Sequence, residues 1–188
     1  PIRAWFTATL GEPTPPQAQG WPAIQRGENT LIMAPTGSGK TLTAFLWGID
    51  QIFRALPAPQ PVAPGTGADK PKRRARKADD EPAGIHLIYI SPLKALNNDI
   101  ERNLRGPLAG IRRTAEAAGQ ELPEISVAVR SGDTPSRERQ AMLRKAPHIL
   151  ITTPESLYIL LTSPRARELF RTVRTLIPVA RAISLSVR

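Results

Sequence analysis

The stretch from Ala34 to Thr41, APTGSGKT, constrains the fold of this chain more than any other feature. It matches the P-loop template, in which a small residue and four variable ones precede Gly39, Lys40 and Thr41. Gly37 and Gly39 permit positive φ angles that turn backbone N–H groups towards a polyphosphate, and the helix that follows points its positive dipole end at the same anion. Lys40 supplies a charge for the β- and γ-phosphates, and the Thr41 hydroxyl suits the octahedral shell of Mg²⁺. The predicted nucleotide-binding residues are Pro35, Thr36, Gly37, Ser38, Gly39, Lys40 and Thr41, with Thr41 also the metal ligand.

The neighbouring residues decide between a P-loop and an accidental Gly-Ser turn. Residues 29–34, NTLIMA, are a short apolar run that predicts a buried strand. Apolar residues then recur at helical spacing at Leu42, Phe45, Leu46, Ile49, Ile52, Phe53 and Leu56. Strand, glycine loop and helix is the order that a P-loop requires, so this context favours the P-loop.

The composition excludes several classes of protein. The chain has no cysteine and two histidines, which rules out a disulfide scaffold and thiolate zinc sites, so any metal should arrive with the nucleotide. No apolar run approaches the roughly twenty residues that cross a bilayer, and a cytoplasmic protein without membrane partners is expected. The formal charge of +10 favours polyanionic partners, although other basic proteins share it.

The segment from 57 to 84 is rich in proline, alanine and charge, and it has almost nothing large enough to bury. It is predicted to be disordered. Within it, residues 70–77, KPKRRARK, are either a nucleic-acid-binding tract or, more commonly for such runs, a solvated charge run.

Four further apolar runs, at residues 85–91, 125–129, 148–152 and 173–177, alternate with helical patterns. This alternation predicts an α/β fold with a mostly parallel sheet and helices on both faces. Thr134 and Thr153 each precede a proline, which predicts a helix N-cap followed by proline at the first helical position. A parallel sheet places its loops at the carboxyl ends of the strands. Residues 91–99, 130–139 and 152–157 should therefore share one edge, on the side of the P-loop.

Several stretches, in order and spacing, resemble the first RecA-like domain of superfamily-two helicases, and in particular the large helicase-related, Lhr-type, ATP-dependent DNA helicases. The stretches are PTPPQ (13–17), APTGSGKT (34–41), ISPLKALNNDIERNLRGPL (90–108), GDTP (132–135) and ILITTPESLYILLTS (149–163). The resemblance covers about residues 5 to 177. It implies a Q-motif region at 1–28, a RecA-like ATP-binding domain at 29–177 and a divergent tail at 178–188, with the domain incomplete at its C-terminus.

The resemblance also implies roles for individual residues. Gln17 matches the glutamine that reads adenine, since an amide offers both a donor and an acceptor. Lys40 and Thr41 match the phosphate and magnesium positions for ATP. Two motifs match positions that follow the backbone of one strand of nucleic acid, expected to be DNA: Ser91, Pro92, Leu93 and Lys94, and Thr153, Pro154, Glu155 and Ser156.

The chemistry of these motifs agrees with such a role but does not require it. Hydroxyls, helix N-termini and a lysine bind phosphates without reading bases. Ordinary helix capping would explain Thr153 and Pro154 equally well. For Arg130, Arg137 and Arg139, a solvated basic face is favoured over a specific contact with DNA.

One expected group is missing after the last strand. A P-loop NTPase needs an acidic residue there to hold Mg²⁺ and orient water, and in the resembled family an Asp-Glu-x-His box follows a strand that begins VRT. Here VRTLI is followed by PVARAISLSVR, which contains no acid. A frameshift or misread terminus of a longer gene is one hypothesis, and a second RecA-like domain is expected in the full-length protein.

These observations leave three functional hypotheses. The first is the motor domain of an ATP-dependent 3′-to-5′ DNA helicase, without turnover by itself. The second is a non-catalytic module that binds nucleotide and nucleic acid. The third, a P-loop kinase of small molecules, is disfavoured because a kinase does not need SPLKALNND and TTPESL.

Overall fold

The structure is a computed structural model, and it describes residues 1–57 and 84–179. The predictions for the insert, for its basic tract and for most of the tail concern residues outside these ranges. The described chain forms two compact units, one from residues 1–57 and 104–125 and the other from residues 84–103 and 126–179.

The first unit is helical. It contains α1 (Ile2–Leu10), α2 (Pro15–Gln25), α3 (Lys40–Ala55) and the second half of α4 (Lys94–Ala117). Phe6 and Trp21 meet edge to face with ring centroids 5.3 Å apart, and Trp21 Nε1 donates to the carbonyl of Thr43 at 3.0 Å. The helical spacing after Lys40 is confirmed, since Phe45, Ile49 and Ile52 form the buried face of α3.

The second unit is built on a parallel sheet. Its strands are β1 (Leu87–Ile90), β2 (Val127–Arg130), β3 (Ile149–Thr152) and β4 (Thr175–Pro178), in the order β2-β3-β1-β4. Each neighbouring pair is parallel. The first half of α4 is followed by α5 (Ser136–Arg144), α6 (Pro154–Thr162), α7 (Pro164–Arg167) and a 3₁₀ turn at Glu168–Phe170. A strand is therefore present at each of the four apolar runs predicted after the insert, although β2 and β4 each end one residue beyond the predicted run.

Both faces of the central strands are buried. On one face, Ile88 and Leu150 pack with Met142, Leu160 and Ala166. On the other, Leu87, Tyr89, Ile149 and Ile151 are also buried. Strands buried on both faces read as continuous apolar runs, which is why the sequence pattern predicted a parallel sheet.

Two local predictions are wrong. Residues 29–34 form no strand, and Leu31 and Met33 are 76% and 75% exposed. An apolar run becomes a strand only where another strand completes its hydrogen-bond ladder, and no such partner is present among the described residues. Thr134 is not an N-cap, because α5 begins at Ser136 after Pro135 and the Thr134 hydroxyl instead accepts from Ser131 N at 2.9 Å.

None of the described helices is long and apolar enough to cross a membrane.

Candidate functional site

The P-loop lies at the start of α3 in the first unit. Gly37 and Gly39 have φ angles of 84° and 81°, in the left-handed region that glycine adopts without strain. Lys40 is the first residue of α3, and its Nζ donates to the carbonyls of Ala34 and, at 2.6 Å, Pro35. Thr41 is exposed in the first helical turn. The loop therefore has the backbone conformation that the motif predicts, with its lysine held by the carbonyls of the loop.

The start of α2 supports the P-loop. The Thr14 hydroxyl donates to the carbonyl of Ser38 at 2.8 Å, and Thr14 N donates to Gln17 Oε1 at 2.9 Å in a capping box. Gln17 is 3% exposed, and a methyl group added to Gly39 would come within 2.5 Å of Gln17 Nε2. Gln17 thus caps a helix and packs on the P-loop, while its predicted contact with adenine remains a prediction.

The residues of this loop fit a nucleotide polyphosphate. Ser38 Oγ is buried and has no hydrogen-bond partner within the described part of the chain. Buried polar atoms are rarely left unpaired, so an unpaired hydroxyl between two glycines of positive φ is where a further acceptor or donor is expected. The α3 dipole and the ammonium of Lys40 give this position the sign that phosphate requires.

The second set of predicted residues lies where β1, β2 and β3 end, in the second unit. The register of the strands aligns Ile90, Arg130 and Thr152, so the three loops predicted to share an edge do so. Ser91 N donates to the carbonyl of Thr152 at 3.0 Å, which joins the loop after β1 directly to the loop after β3.

The motif hydroxyls at this edge are used internally. Thr153 is the N-cap of α6 and accepts from Ser156 N at 3.3 Å, with Pro154 at the first helical position, as predicted. Ser91, Thr153 and Ser156 are all buried. The exposed members of the two motifs are Pro92, Leu93, Lys94, Pro154 and Glu155. Among these, Lys94 is the one cation available to a phosphate.

Lys94 is paired with a residue that the motif assignment did not include. Its Nζ lies 2.9 Å from both carboxylate oxygens of Asp133, in the loop after β2. Both side chains line a groove of about 810 Å³ along β2. Lys94 also acts on Glu155, whose pKa is lowered mainly by its own backbone N–H and the Thr153 hydroxyl, with a smaller contribution from Lys94.

Arg139 shapes the loop that carries Asp133. Its Nε donates to the carbonyl of Thr134 at 2.6 Å and its Nη2 to the carbonyl of Gly132 at 2.8 Å. The solvated face predicted for Arg130, Arg137 and Arg139 therefore holds for exposed Arg137 but not for Arg139, which is half-buried. Burial lowers the pKa of half-buried Arg130, and the neighbouring Arg139 lowers it further. No sequence pattern signals these inward contacts, because arginines in a polar loop usually face solvent.

The comparisons with known proteins agree on one family. The family model for DEAD/DEAH box helicases matches residues 14–178. The chain is 51% identical over 175 residues to the Lhr helicase/probable uracil glycosylase of Mycolicibacterium smegmatis, covering 93% of this chain and 10% of that protein. It is 46% identical over 177 residues to ATP-dependent helicase Lhr-Core protein 2 of Thermococcus barophilus, covering 94% of this chain and 18% of that protein.

A solved structure gives the same result for the fold. The structure of Mycobacterium smegmatis helicase Lhr bound to ssDNA and AMP-PNP matches with a TM-score of 0.76 and 49% identity, over 94% of this chain and 19% of that one. The chain thus spans between a tenth and a fifth of the length of these relatives.

Proposed function

The chain belongs to the DEAD/DEAH box helicase family, and we propose that it forms the ATP-binding RecA-like domain of an ATP-dependent DNA helicase. The P-loop carries this proposal: two glycines of positive φ, the unpaired hydroxyl of Ser38 and the half-buried Lys40 surround one position at the start of α3. The similarity to Lhr-type helicases supports DNA as the nucleic acid. We also propose a cytoplasmic location for the protein.

Each residue of the proposed nucleotide site has a defined task. The backbone N–H groups from Thr36 to Thr41, apart from that of Ser38, which donates to the carbonyl of Pro35 at 3.3 Å, would bind the phosphates at the glycine loop and the helix start. Lys40 would exchange its loop carbonyls for β- and γ-phosphate oxygens. The exposed Thr41 hydroxyl would be a ligand of Mg²⁺, which supplies charge neutralisation at the phosphates when bound. Gln17, already packed on Gly39, would meet the adenine edge with its remaining amide donor and lone pair.

The loops at the carboxyl ends of β1 and β3 are proposed to hold one strand of DNA by its phosphates. Lys94 supplies the charge, and the first turn of α6, capped by Thr153, supplies backbone N–H groups and a positive dipole end. Base edges need side chains that present donors and acceptors outward, whereas Ser91, Thr153 and Ser156 are buried. Binding should therefore be nearly independent of sequence.

A non-catalytic module that binds nucleotide and nucleic acid remains the second candidate. The observation in its favour is that β4 ends at Pro178, and that residues 178–188 contain no aspartate or glutamate where the family has its acidic box. Strand separation by the longer protein would additionally need the second RecA-like domain. The two candidates share the same nucleotide site and differ in whether turnover follows binding.

Calorimetry with Mg²⁺–ATP tests the nucleotide site. Lys40→Ala should reduce affinity at least about tenfold, or 1.4 kcal/mol, because Lys40 is the cation that the loop places beside the phosphates. Arg3→Ala is the matched control, since it removes one exposed charge from the same unit. Unchanged ATP affinity in Lys40→Ala would refute the P-loop assignment.

A further inference from the structure

Five cationic side chains lie at the edge of the sheet where the strands begin. All five are exposed, and none forms an ion pair within the described residues. They are Arg144, Lys145, Arg165, Arg167 and Arg174. We call this set the arginine edge, and it is opposite to the edge that carries Lys94 and Thr153.

The packing of the second unit brings four of these side chains to one face of the sheet. Met142 of α5 and Ala166 of α7 belong to the same buried cluster, together with Ile88 and Leu150 of the sheet. Arg144 and Lys145 follow Met142 at the end of α5, and Arg165 and Arg167 flank Ala166 in α7. The four cations are therefore neighbours, along the chain, of residues that share one buried cluster on this face of the sheet.

Backbone hydrogen bonds fix the segment that leads to Arg174. Ile85 N donates to the carbonyl of Leu169 at 2.8 Å, and Arg174 N donates to the carbonyl of His86 at 2.9 Å. The Thr172 hydroxyl donates to the carbonyl of Ile85 at 3.0 Å. The segment is therefore joined to the start of β1, and the backbone that presents these charges is ordered before any partner binds.

The charge of this surface is nearly uncompensated. Glu168 is the one carboxylate in residues 163–174, and it is engaged by Arg171 at 2.6 Å. None of the five members of the arginine edge is paired with a carboxylate within the described residues, so their positive charge is available to a partner. Such a concentration attracts a polyanion and raises its rate of encounter.

We propose that the arginine edge binds the phosphate backbone of a second segment of nucleic acid, separate from the strand assigned to the Lys94 loops. Four of its five cations are arginines, whose planar guanidinium groups bind phosphate oxygens in pairs. Strands of four residues separate the two edges of the sheet by about 13 Å. The two edges would then bind different stretches of the nucleic-acid backbone, such as the single strand and the adjoining duplex. The inference rests on the proposed function for the identity of the polyanion.

The test measures the affinity of the 188-residue chain for a forked DNA duplex at several salt concentrations. The triple variant Arg165→Gln/Arg167→Gln/Arg174→Gln should bind at least about tenfold more weakly at low salt. The slope of log affinity against log salt should become shallower by roughly 2 to 3, since each lost phosphate contact accounts for about 0.9 on a duplex. The matched control Arg3→Gln/Arg102→Gln/Arg113→Gln removes three other exposed arginines. Its slope of log affinity against log salt should stay close to that of the wild type.

The DNA-binding results of these variants test this inference independently of the proposed function. Equal slopes for the wild type and the arginine-edge variant, or equal losses in both triple variants, would overturn the inference while binding itself survives. Absence of DNA binding in the wild type would refute both proposals. Vesicles of anionic phospholipid serve as a second probe: loss of vesicle binding with unchanged DNA binding would identify a membrane surface instead. Thermal unfolding of each variant checks that these exposed substitutions leave the fold intact.

Discussion

Lys94 and Asp133, separated by 39 residues, form a bidentate ion pair with both N–O distances at 2.9 Å. The pair joins the loop after β1 to the loop after β2, across the end of β3. Both side chains are more than half exposed, so the pair contributes little to stability, in the range of about 0 to 1 kcal/mol. Its consequence is electrostatic, because the cation proposed to meet DNA phosphate is already neutralised by a carboxylate.

Asp133→Asn should therefore strengthen binding of single-stranded DNA. Freeing Lys94 adds one phosphate contact, which should steepen the slope of log affinity against log salt by about 0.7. Asp99→Asn is the matched control, because it removes an exposed carboxylate from α4 without releasing Lys94. Equal effects of the two variants would show that net charge, and not the ion pair, determines affinity.

Gly39→Ala should weaken nucleotide binding more than Gly37→Ala. Both glycines have positive φ, so each alanine has a strained backbone that costs about 1 to 2 kcal/mol. The Gly39 methyl would additionally come within 2.5 Å of Gln17 Nε2, whereas a methyl on Gly37 meets nothing within 4 Å. Calorimetry with ATP on both variants isolates this contact. The excess loss should disappear in the Gln17→Ala background, and its persistence there would contradict the proposed support of the P-loop by Gln17.

The sequence predicted the elements whose periodicity agrees with their packing. The helix after Lys40 and the central strands β1 and β3 were predicted correctly because each buries a regular apolar pattern, and β2 and β4 were predicted from apolar runs that are only partly buried. Residues 29–34 carry the same apolar signal, yet strand formation depends on a neighbouring ladder that local pattern does not report. The Thr134 cap was wrong for a related reason: a hydroxyl beside a proline can accept from an earlier N–H, here that of Ser131, as readily as from the helix.

The candidate site likewise has a part that the sequence predicted and a part that it did not. The P-loop conformation follows from a contiguous motif, because its glycines and its helix are adjacent in sequence. The contacts of Asp133 with Lys94 and of Gln17 with Gly39 join residues distant in sequence, so spacing alone could not predict them. The arginine edge likewise depends on tertiary structure, because α5 and α7 each contribute a residue to the same buried cluster on the sheet, whereas Arg144 and Arg165 belong to separate, individually ordinary polar segments.

This chain should bind ATP but hydrolyse it poorly. Positioning and metal-borne charge neutralisation account for nearly all catalysis of phosphoryl transfer, so a chain without the carboxylate that orients metal and water should bind nucleotide and turn it over poorly. The residues that follow Ile177 contain no such carboxylate. We therefore expect weak binding of Mg²⁺–ATP, no stimulation of hydrolysis by DNA and no strand separation by the 188-residue chain. The measurement is steady-state phosphate release with and without single-stranded DNA.

An acidic box introduced after Ile177 tests the cause. The variant Pro178→Asp/Val179→Glu/Arg181→His should bind ATP more tightly with Mg²⁺ than without it, because carboxylate oxygens are hard ligands of the kind that Mg²⁺ prefers. The control Pro178→Asn/Val179→Gln/Arg181→His has the same shapes without the charge and should show no such gain. Turnover should stay low in both, since strand translocation requires a second domain that closes on the nucleotide and supplies an arginine to its phosphates. Robust DNA-stimulated hydrolysis by the unmodified chain, with its mass verified, would show that this chain hydrolyses ATP without the acidic box.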